Sequence, residues 1–467
     1  MKKNIILFSF FIIIFSCTSR NYPGSIENTA SNSVPAWYYV GDPKISENSI
    51  KVRNSIFITD TAIYAAYIEE YTHILKLIKY NGKEWVSVGD SSSFKAEDLM
   101  KTSLFIYEER PYILFNDKNH DNKLSVIQYD GNSWQYLGNP GIFLSLEYSF
   151  FVGKEGVFIA TQSITLHKYD QTFNQWQNLS SSLFSNENEC TIPSISSFNN
   201  SLYLAFYCNN ETDSAFEHYP DFEHRKLFFT EYKNQAWNII STYYEKNNSI
   251  YLQASYIENS TAYAVFHVPN TIPEDKQEFF KVMKSNGSQW EAIGKEINLP
   301  DDSYPSAIFV ENGIPYIVFE SINGKSNFSV MKYDGINWIY IGNQNLAATQ
   351  TETVSGWETA LWIYKGIPFI SYLSLSGGFS EHKLSVIVEG KSFIDTFRRL
   401  TPPVFSLESG LYQHTQTLTL TAEEGTVIRY TTDGTFPTRQ NGVVYQEPVI
   451  VKNTMKVRAF PPLYHPL

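Results

Sequence analysis

The sequence predicts an all-β chain, a seven-bladed β-propeller closed by an N-terminal strand and followed by a smaller β domain. Three observations carry that prediction. One signature, an aromatic residue, a turn, a Trp and an apolar run that often ends in Gly, recurs along the body of the chain. β-Branched and aromatic residues dominate between its copies, and no helical period survives. Strand signals sorted by their place in the repeat give the same tally twice.

The clearest copies are Tyr80-Asn81-Gly82-Lys83-Glu84-Trp85-Val86-Ser87-Val88-Gly89, Tyr129-Asp130-Gly131-Asn132-Ser133-Trp134-Gln135-Tyr136-Leu137-Gly138 and Tyr333-Asp334-Gly335-Ile336-Asn337-Trp338-Ile339-Tyr340-Ile341-Gly342. Degenerate copies centre on Trp176, Trp237 and Trp290, so successive Trp residues lie 49, 42, 61, 53 and 48 residues apart. A period of that size marks an array or a propeller rather than one globular core. Between Trp85 and Trp134 four strands are predicted: Lys101 to Glu108, Arg110 to Asn116, Lys123 to Tyr129 and Ser133 to Gly138. Asn-Gly or Asp-Gly joins the third to the fourth, a strong hairpin signal. Four antiparallel strands make one blade.

The second strand recurs as Ala62–Ile68, Pro111–Phe115, Gly156–Thr161, Leu202–Tyr207, Ala262–His267, Pro315–Phe319 and Pro368–Tyr372. The third recurs as Ile74–Tyr80, Leu124–Tyr129, Ile164–Tyr169, Leu227–Tyr232, Phe279–Met283, Phe328–Tyr333 and Leu384–Val388. The seventh repeat lacks a Trp strand, and an orphan copy, Ala36-Trp37-Tyr38-Tyr39-Val40-Gly41, precedes the first. The economical arrangement places that orphan in the seventh blade, which leaves no exposed sheet edge. Two arrangements compete with it: Phe393–Phe397 as the closing strand with Trp37 outside, and an open solenoid. The repeated Trp reads as filler of the wedge between blades, in competition with sugar stacking.

Ahead of the body, Met1-Lys2-Lys3 is basic, Asn4 to Phe15 is nearly all apolar, and Ser16-Cys17 follows. The run suits a signal h-region and is too short to span a bilayer. A small residue before Cys at that point resembles a bacterial lipoprotein lipobox. The resemblance implies that residues 1–16 are removed and that Cys17 carries lipid. An ordinary secretory signal with a chance Cys is the competing reading. Residues 17–35 are polar, rich in Ser and Asn, and read as a tether. The propeller is placed at 36–398.

After Thr401-Pro402-Pro403, strands are predicted at Thr417–Thr421, Thr426–Tyr430 and Val457–Ala459. The string Tyr430-Thr431-Thr432-Asp433-Gly434-Thr435-Phe436-Pro437-Thr438, with Pro403, Ser409-Gly410, Tyr445 and Lys456-Val457-Arg458-Ala459, resembles the chitobiase/β-hexosaminidase C-terminal domain. The resemblance implies that 401–467 is a small β-sandwich with an accessory, non-catalytic role. Asp433-Gly434 reads as a turn.

Composition narrows the function classes. The 467 residues carry a formal charge of −12, with 43% hydrophobic, 16% aromatic and 18% charged residues. Apolar surface is ample, so the chain as a whole is not disordered. The acidic balance argues against a nucleic-acid partner. There is no His-Glu-x-x-His, Gly-x-Ser-x-Gly, phosphate loop or dinucleotide fingerprint, and no cofactor is implied.

Candidate sites are few. Cys190 and Cys208 flank the turn Asn199-Asn200 and fall nearly opposite in a hairpin, which suits a disulfide in an oxidising compartment. Two buried free thiols are the alternative. Between blade strands, Asn209 to Arg225 is the longest loop and holds Glu217, His218, Asp221, Glu223 and His224, types that bind transition metals or ligands. Asp117, Asn119 and Asp121 repeat the one-three-five spacing of a calcium loop, although Asn122 and Gln128 depart from it, and an ordinary hairpin loop competes. Trp357 and Trp362 stand outside the repeat and are suited to stacking on a sugar or a partner, or to packing in the channel. The expected function is a lipid-anchored, extracytoplasmic, monomeric propeller of the bacterial cell envelope that binds a protein or other ligand without catalysis. A glycan-binding or glycan-hydrolysing surface protein is the alternative, and a purely structural envelope protein a third.

Overall fold

The computed structural model describes residues 37–50, 54–97, 102–161, 165–179, 190–209, 225–244, 251–268, 278–299, 303–321, 327–342, 359–376, 381–390, 403–408, 410–422, 427–435, 437 and 442–460. The signal segment, Cys17, the tether, the loop from Glu217 to His224, Trp357 and Phe393–Phe397 lie outside these. Among the described residues no helix is long and apolar enough to cross a membrane.

The body is a succession of antiparallel meanders, numbered here as sheets one to seven in chain order. Their first strands are Ser55–Ile58, Ser103–Tyr107, Tyr148–Gly153, Cys190–Phe198, Tyr251–Glu258, Ser303–Glu311 and Ala360–Tyr364. Their second strands are Ile63–Ile68, Arg110–Asp117, Gly156–Thr161, Ser201–Asn209, Thr261–Val268, Ile314–Ser321 and Ile367–Ser376. Third strands follow at Leu75–Tyr80, Lys123–Tyr129, Leu166–Asp170, Arg225–Lys233, Glu278–Ser285, Asn327–Tyr333 and Glu381–Glu389. Fourth strands are Trp85–Ser87, Trp134–Tyr136, Gln175–Asn178, Ala236–Tyr243, Trp290–Ala292 and Trp338–Tyr340. Sheet five has a further strand, Ile297–Leu299, beside its third, which the repeat pattern did not predict. In sheet seven the fourth place is taken by Trp37–Tyr39, antiparallel to Glu381–Glu389 with Tyr38 opposite Val388. The first strand of each sheet packs beside that of the next, and Ala360–Tyr364 packs beside Ser55–Ile58. The body is therefore propeller-like.

Burial explains why strands of different rank read differently in the sequence. Ile63–Ile68 is buried at every residue, hence an unbroken apolar run. Ser103–Tyr107 and Ala360–Tyr364 alternate buried and half-buried residues, hence a period of two. The core is divided into wedges between neighbouring sheets. Tyr64, Leu77, Leu104, Ile113 and Trp134 fill the wedge between sheets one and two, and Val40, Ile56, Ile63, Phe369 and Val388 that between seven and one. Each fully buried aliphatic or aromatic side chain of this kind stabilises by about 1.5–3 kcal/mol.

The recurring signature is a latch between sheets. Trp85, Trp134, Trp176 and Trp338 each donate the indole N–H to a carbonyl in the preceding copy, at Val40, Val88, Leu137 and Ile293, over 2.7, 2.8, 2.9 and 3.0 Å. In these four the acceptor precedes the signature's Gly; Trp237 donates to the Leu179 carbonyl over 3.4 Å, and Ser180 follows there. At Gly89, φ is +65°, and a Cβ there would lie 2.5 Å from Tyr129 Cε2 and 3.2 Å from Trp134 Nε1. The glycine is required twice, by its backbone and by the aromatic pair that closes over it. Among the described residues the indole N–H of Trp290, in sheet five, has no partner. The turns after Tyr129 and Tyr333 are Asx turns: Asp130 Oδ1 accepts from the N–H groups of Asn132 and Ser133, and Asp334 Oδ1 from those of Ile336 and Asn337. Those bonds hold both carboxyls below the usual carboxylate range.

The C-terminal segment forms small antiparallel pairs: Val404–Phe405 with Leu420–Thr421, Gln416–Leu418 with Val449–Val451, and Arg429–Thr431 between Val443–Val444 and Arg458–Phe460. Leu418, Leu420, Ile428 and Val449 are its core. Asp433-Gly434 is a turn, with Asp433 Oδ1 accepting from the N–H and hydroxyl of Thr435 at 2.9 and 2.6 Å.

Candidate functional site

The first strands place a series of aromatic side chains at one level. Phe57 is opposite Tyr64, Phe105 opposite Tyr112, Phe151 opposite Phe158, Tyr256 opposite Tyr263, Phe309 opposite Tyr316 and Trp362 opposite Phe369. These are the same register position in six sheets. The rings touch in sequence: Tyr256–Phe309 at 4.8 Å, Phe309–Trp362 at 5.0 Å, Trp362–Phe57 at 4.2 Å, Phe57–Phe105 at 5.2 Å and Phe105–Phe151 at 5.4 Å between centroids. All but Phe309 are half-buried, so the series keeps exposed surface along the first strands.

Two residues away along each strand the side chain is small: Ser55, Ser103, Ser149, Ser194, Ala254, Ala307 and Ala360. Their hydroxyls tie sheet to sheet. Ser55 Oγ donates to the Thr102 carbonyl at 2.7 Å, Ser149 Oγ accepts from the Ile195 N–H at 3.2 Å, and Ser194 is hydrogen-bonded to Ser255.

At the other end of the first strands, tight turns carry carboxylates that grip their neighbours. Glu258 accepts from the N–H groups of Asn312 and Gly313 at 2.6 and 2.8 Å. Glu311 accepts from those of Lys365, at 2.8 Å, and Gly366. Asp60 accepts from the Tyr364 hydroxyl and from Lys365 Nζ, the latter at 3.1 Å. Glu155 accepts from Ser197 Oγ at 2.6 Å and Glu109 from Thr61 Oγ1 at 3.0 Å. Burial pushes the Glu109 carboxyl up, partly offset by Thr61 and by Lys79. These carboxylates are engaged in positioning the turns. They present a ready-made acidic rim beside the aromatic series, not a free acid and base.

The sequence-predicted residues fare differently. Trp362 is in the series, between Phe57 and Phe309. The residues Asp117, Asn119 and Asp121 are not brought together. Asp117 is fully buried and accepts from Tyr136 Oη, at 2.8 Å, and the Asn119 N–H, with His120 Nδ1 at 2.8 Å. The Asn119 amide donates to the Ser93 carbonyl, and the Asp121 side chain, 89% exposed, pairs with Lys123. The loop is organised around a buried carboxylate that satisfies its own polar groups. Among the described residues no group of three or more His, Cys, Asp or Glu is placed to hold a metal ion. Cys190 and Cys208 are register partners across Asn199-Asn200, and Cys208 is disulfide-bonded. The aromatic series was missed by sequence reasoning. Its signal was present, an aromatic seven residues before an aromatic of the second strand in six of the repeats, but only one of these six residues, Trp362, is a Trp.

Comparison with known proteins adds the following. Residues 407–461 match the family model described as chitobiase/beta-hexosaminidase C-terminal domain. An endoglucanase from Clostridium saccharobutylicum is 39% identical over 70 residues, 14% of this chain and 16% of that protein. Solved structures similar in overall course include the polysaccharide lyase Uly1, with TM-score 0.47 and 9% identity over 74% of this chain and 90% of that one. The α-L-arabinofuranosidase Arb93A from Fusarium graminearum gives 0.40 and 11% over 76% and 99%. The six-bladed, fucose-recognising lectin of Aleuria aurantia gives 0.37 and 12% over 73% and 96%.

Proposed function

We propose that the chain is a closed, seven-bladed propeller, carried outside the cytoplasm by lipid on Cys17, that binds a glycan at its inner strands without cleaving it. The pairing of Trp37–Tyr39 with Glu381–Glu389 and the packing of Ala360–Tyr364 on Ser55–Ile58 support closure. One observation carries the ligand class: half-buried aromatic rings from successive sheets lie between a hydroxyl-bearing level and a rim of carboxylates. Sugar rings offer an apolar C–H face and a hydroxyl edge, and that combination is complementary to both. The C-terminal family match and the endoglucanase likeness fit a carbohydrate setting. Engagement of the rim carboxylates by backbone N–H groups and by side-chain donors favours binding over hydrolysis. A bridge from Cys190 to Cys208 would brace sheet four beside its longest loop.

The test is a printed glycan array probed with the detergent-solubilised full-length protein. Binding is expected, weakened about tenfold or more by Trp362→Ala. Absence of binding to any glycan refutes the reading. A protein-docking role has one observation in its favour: Tyr71, Leu144 and Leu146, in loops at the opposite end of the sheets, are 74%, 66% and 55% exposed.

A further inference from the structure

The aromatic series is broken at one sheet. Ser196 stands opposite Tyr203 in sheet four, the register position that holds an aromatic in the other six. The ring contacts run from Tyr256 round to Phe151 and stop there, on either side of Ser196. The strands are nonetheless held together at that point. Ser149 of sheet three accepts from the Ile195 N–H, and Ser194 is bonded to Ser255 of sheet five. Phe151 turns its ring over Gly153, where a Cβ would lie 2.8 Å from it, toward the turn end of the strand. Among the described residues the Ser196 hydroxyl has no hydrogen-bond partner.

We infer that Ser196 floors a notch in the aromatic lining, between Phe151 and Tyr256, that receives one pyranose ring of the bound glycan. The inference rests on the glycan reading above and gives it a place. A flat ring lost from one of the equivalent positions leaves a ring-sized recess. Phe151 and Tyr256 supply apolar walls for sugar C–H groups, and Ser196 supplies a hydroxyl that can donate and accept. Ser149, Ser194 and Ser255 add polar surface on the same side. An aliphatic ligand would leave the Ser196 hydroxyl unpaired.

The experiment fills the notch. Ser196→Trp puts an indole where Trp362 shows that this register accommodates one, and Ser196→Ala removes only the hydroxyl. The full-length protein and both variants are applied to the glycan array, and the strongest printed glycan is titrated by calorimetry. Ser196→Trp is expected to weaken binding about tenfold or more with an unchanged melting midpoint, and Ser196→Ala by a smaller factor of about two to five. Array binding that both variants leave intact overturns the notch and spares the glycan reading. Array binding lost in Trp362→Ala but retained in Ser196→Trp has the same meaning. No binding by the parent overturns both. If Ser196→Trp does not fold, an unchanged affinity in Ser196→Ala refutes the notch.

Discussion

Gly89 and Gly131 separate backbone strain from packing. Both hold positive φ, +65° and +101°, but a Cβ on Gly131 meets nothing within 4 Å, whereas one on Gly89 strikes the Tyr129 ring. Gly89→Ala is therefore expected to destabilise by about 1–3 kcal/mol more than Gly131→Ala, measured by urea unfolding. Equal effects would show that the latch carries no steric demand. The sequence displayed both glycines in one signature and could not distinguish them, because the ring that closes on Gly89 belongs to the next sheet. His167 makes a second case. Its ring stacks on Phe143 at 4.2 Å, and desolvation lowers its pKa from 6.5 to about 4. Between these values the unfolded chain holds a proton that the folded one does not, so acidification favours unfolding there. This contribution is complete above pH 6.5 and is lost as pH falls toward 4. His167→Phe keeps a stacked ring and is expected to flatten stability over that window, seen in unfolding midpoints at pH 7, 5.5 and 4.5.

At the scale of elements, each second and third strand was legible in place, with bounds that fall within four residues of the observed ones. Gly156–Thr161 matches its predicted bounds, and Phe328–Tyr333 differs by one residue at its start. Strands buried on both faces write themselves as apolar runs between turn residues, and both signals are local. The extra strand Ile297–Leu299 was not legible, since three residues carry no period and it pairs out of repeat order with Glu278–Ser285. The pairing of Trp37–Tyr39 with sheet seven has a direct test. Tyr38 and Val388 are register partners, so Tyr38→Cys with Val388→Cys is expected to form a disulfide on oxidation and to raise stability by about 2–5 kcal/mol. Both cysteines remaining free thiols under oxidant would count against that strand's place. Among candidate sites, the Asp117 loop shows the limit of spacing as a guide. Alternate oxygens suggest a cation, but Tyr136 and His120 had already claimed the buried carboxylate.

For the molecule as a whole, the wedge cores couple neighbouring sheets, and the aromatic series exists only because the first strands of successive sheets pack side by side. The acidic balance and the signal-like N-terminus concern address, not fold. Lipidation at Cys17 is expected to send the protein into the detergent phase on phase partitioning, and Cys17→Ser into the aqueous phase. An unchanged partition would remove the anchor from the proposal. By itself the sequence determined the β class, the repeat and the turn types, all written within a few to about fifty residues by alternation and turn chemistry, and its C-terminal string carried the likeness to a known domain family. Only the tertiary structure decided which carbonyl each Trp meets, where Trp37 pairs, and that Ser196 interrupts a line of rings. Such juxtapositions join residues far apart in the chain, and no local propensity encodes a neighbour supplied by another sheet.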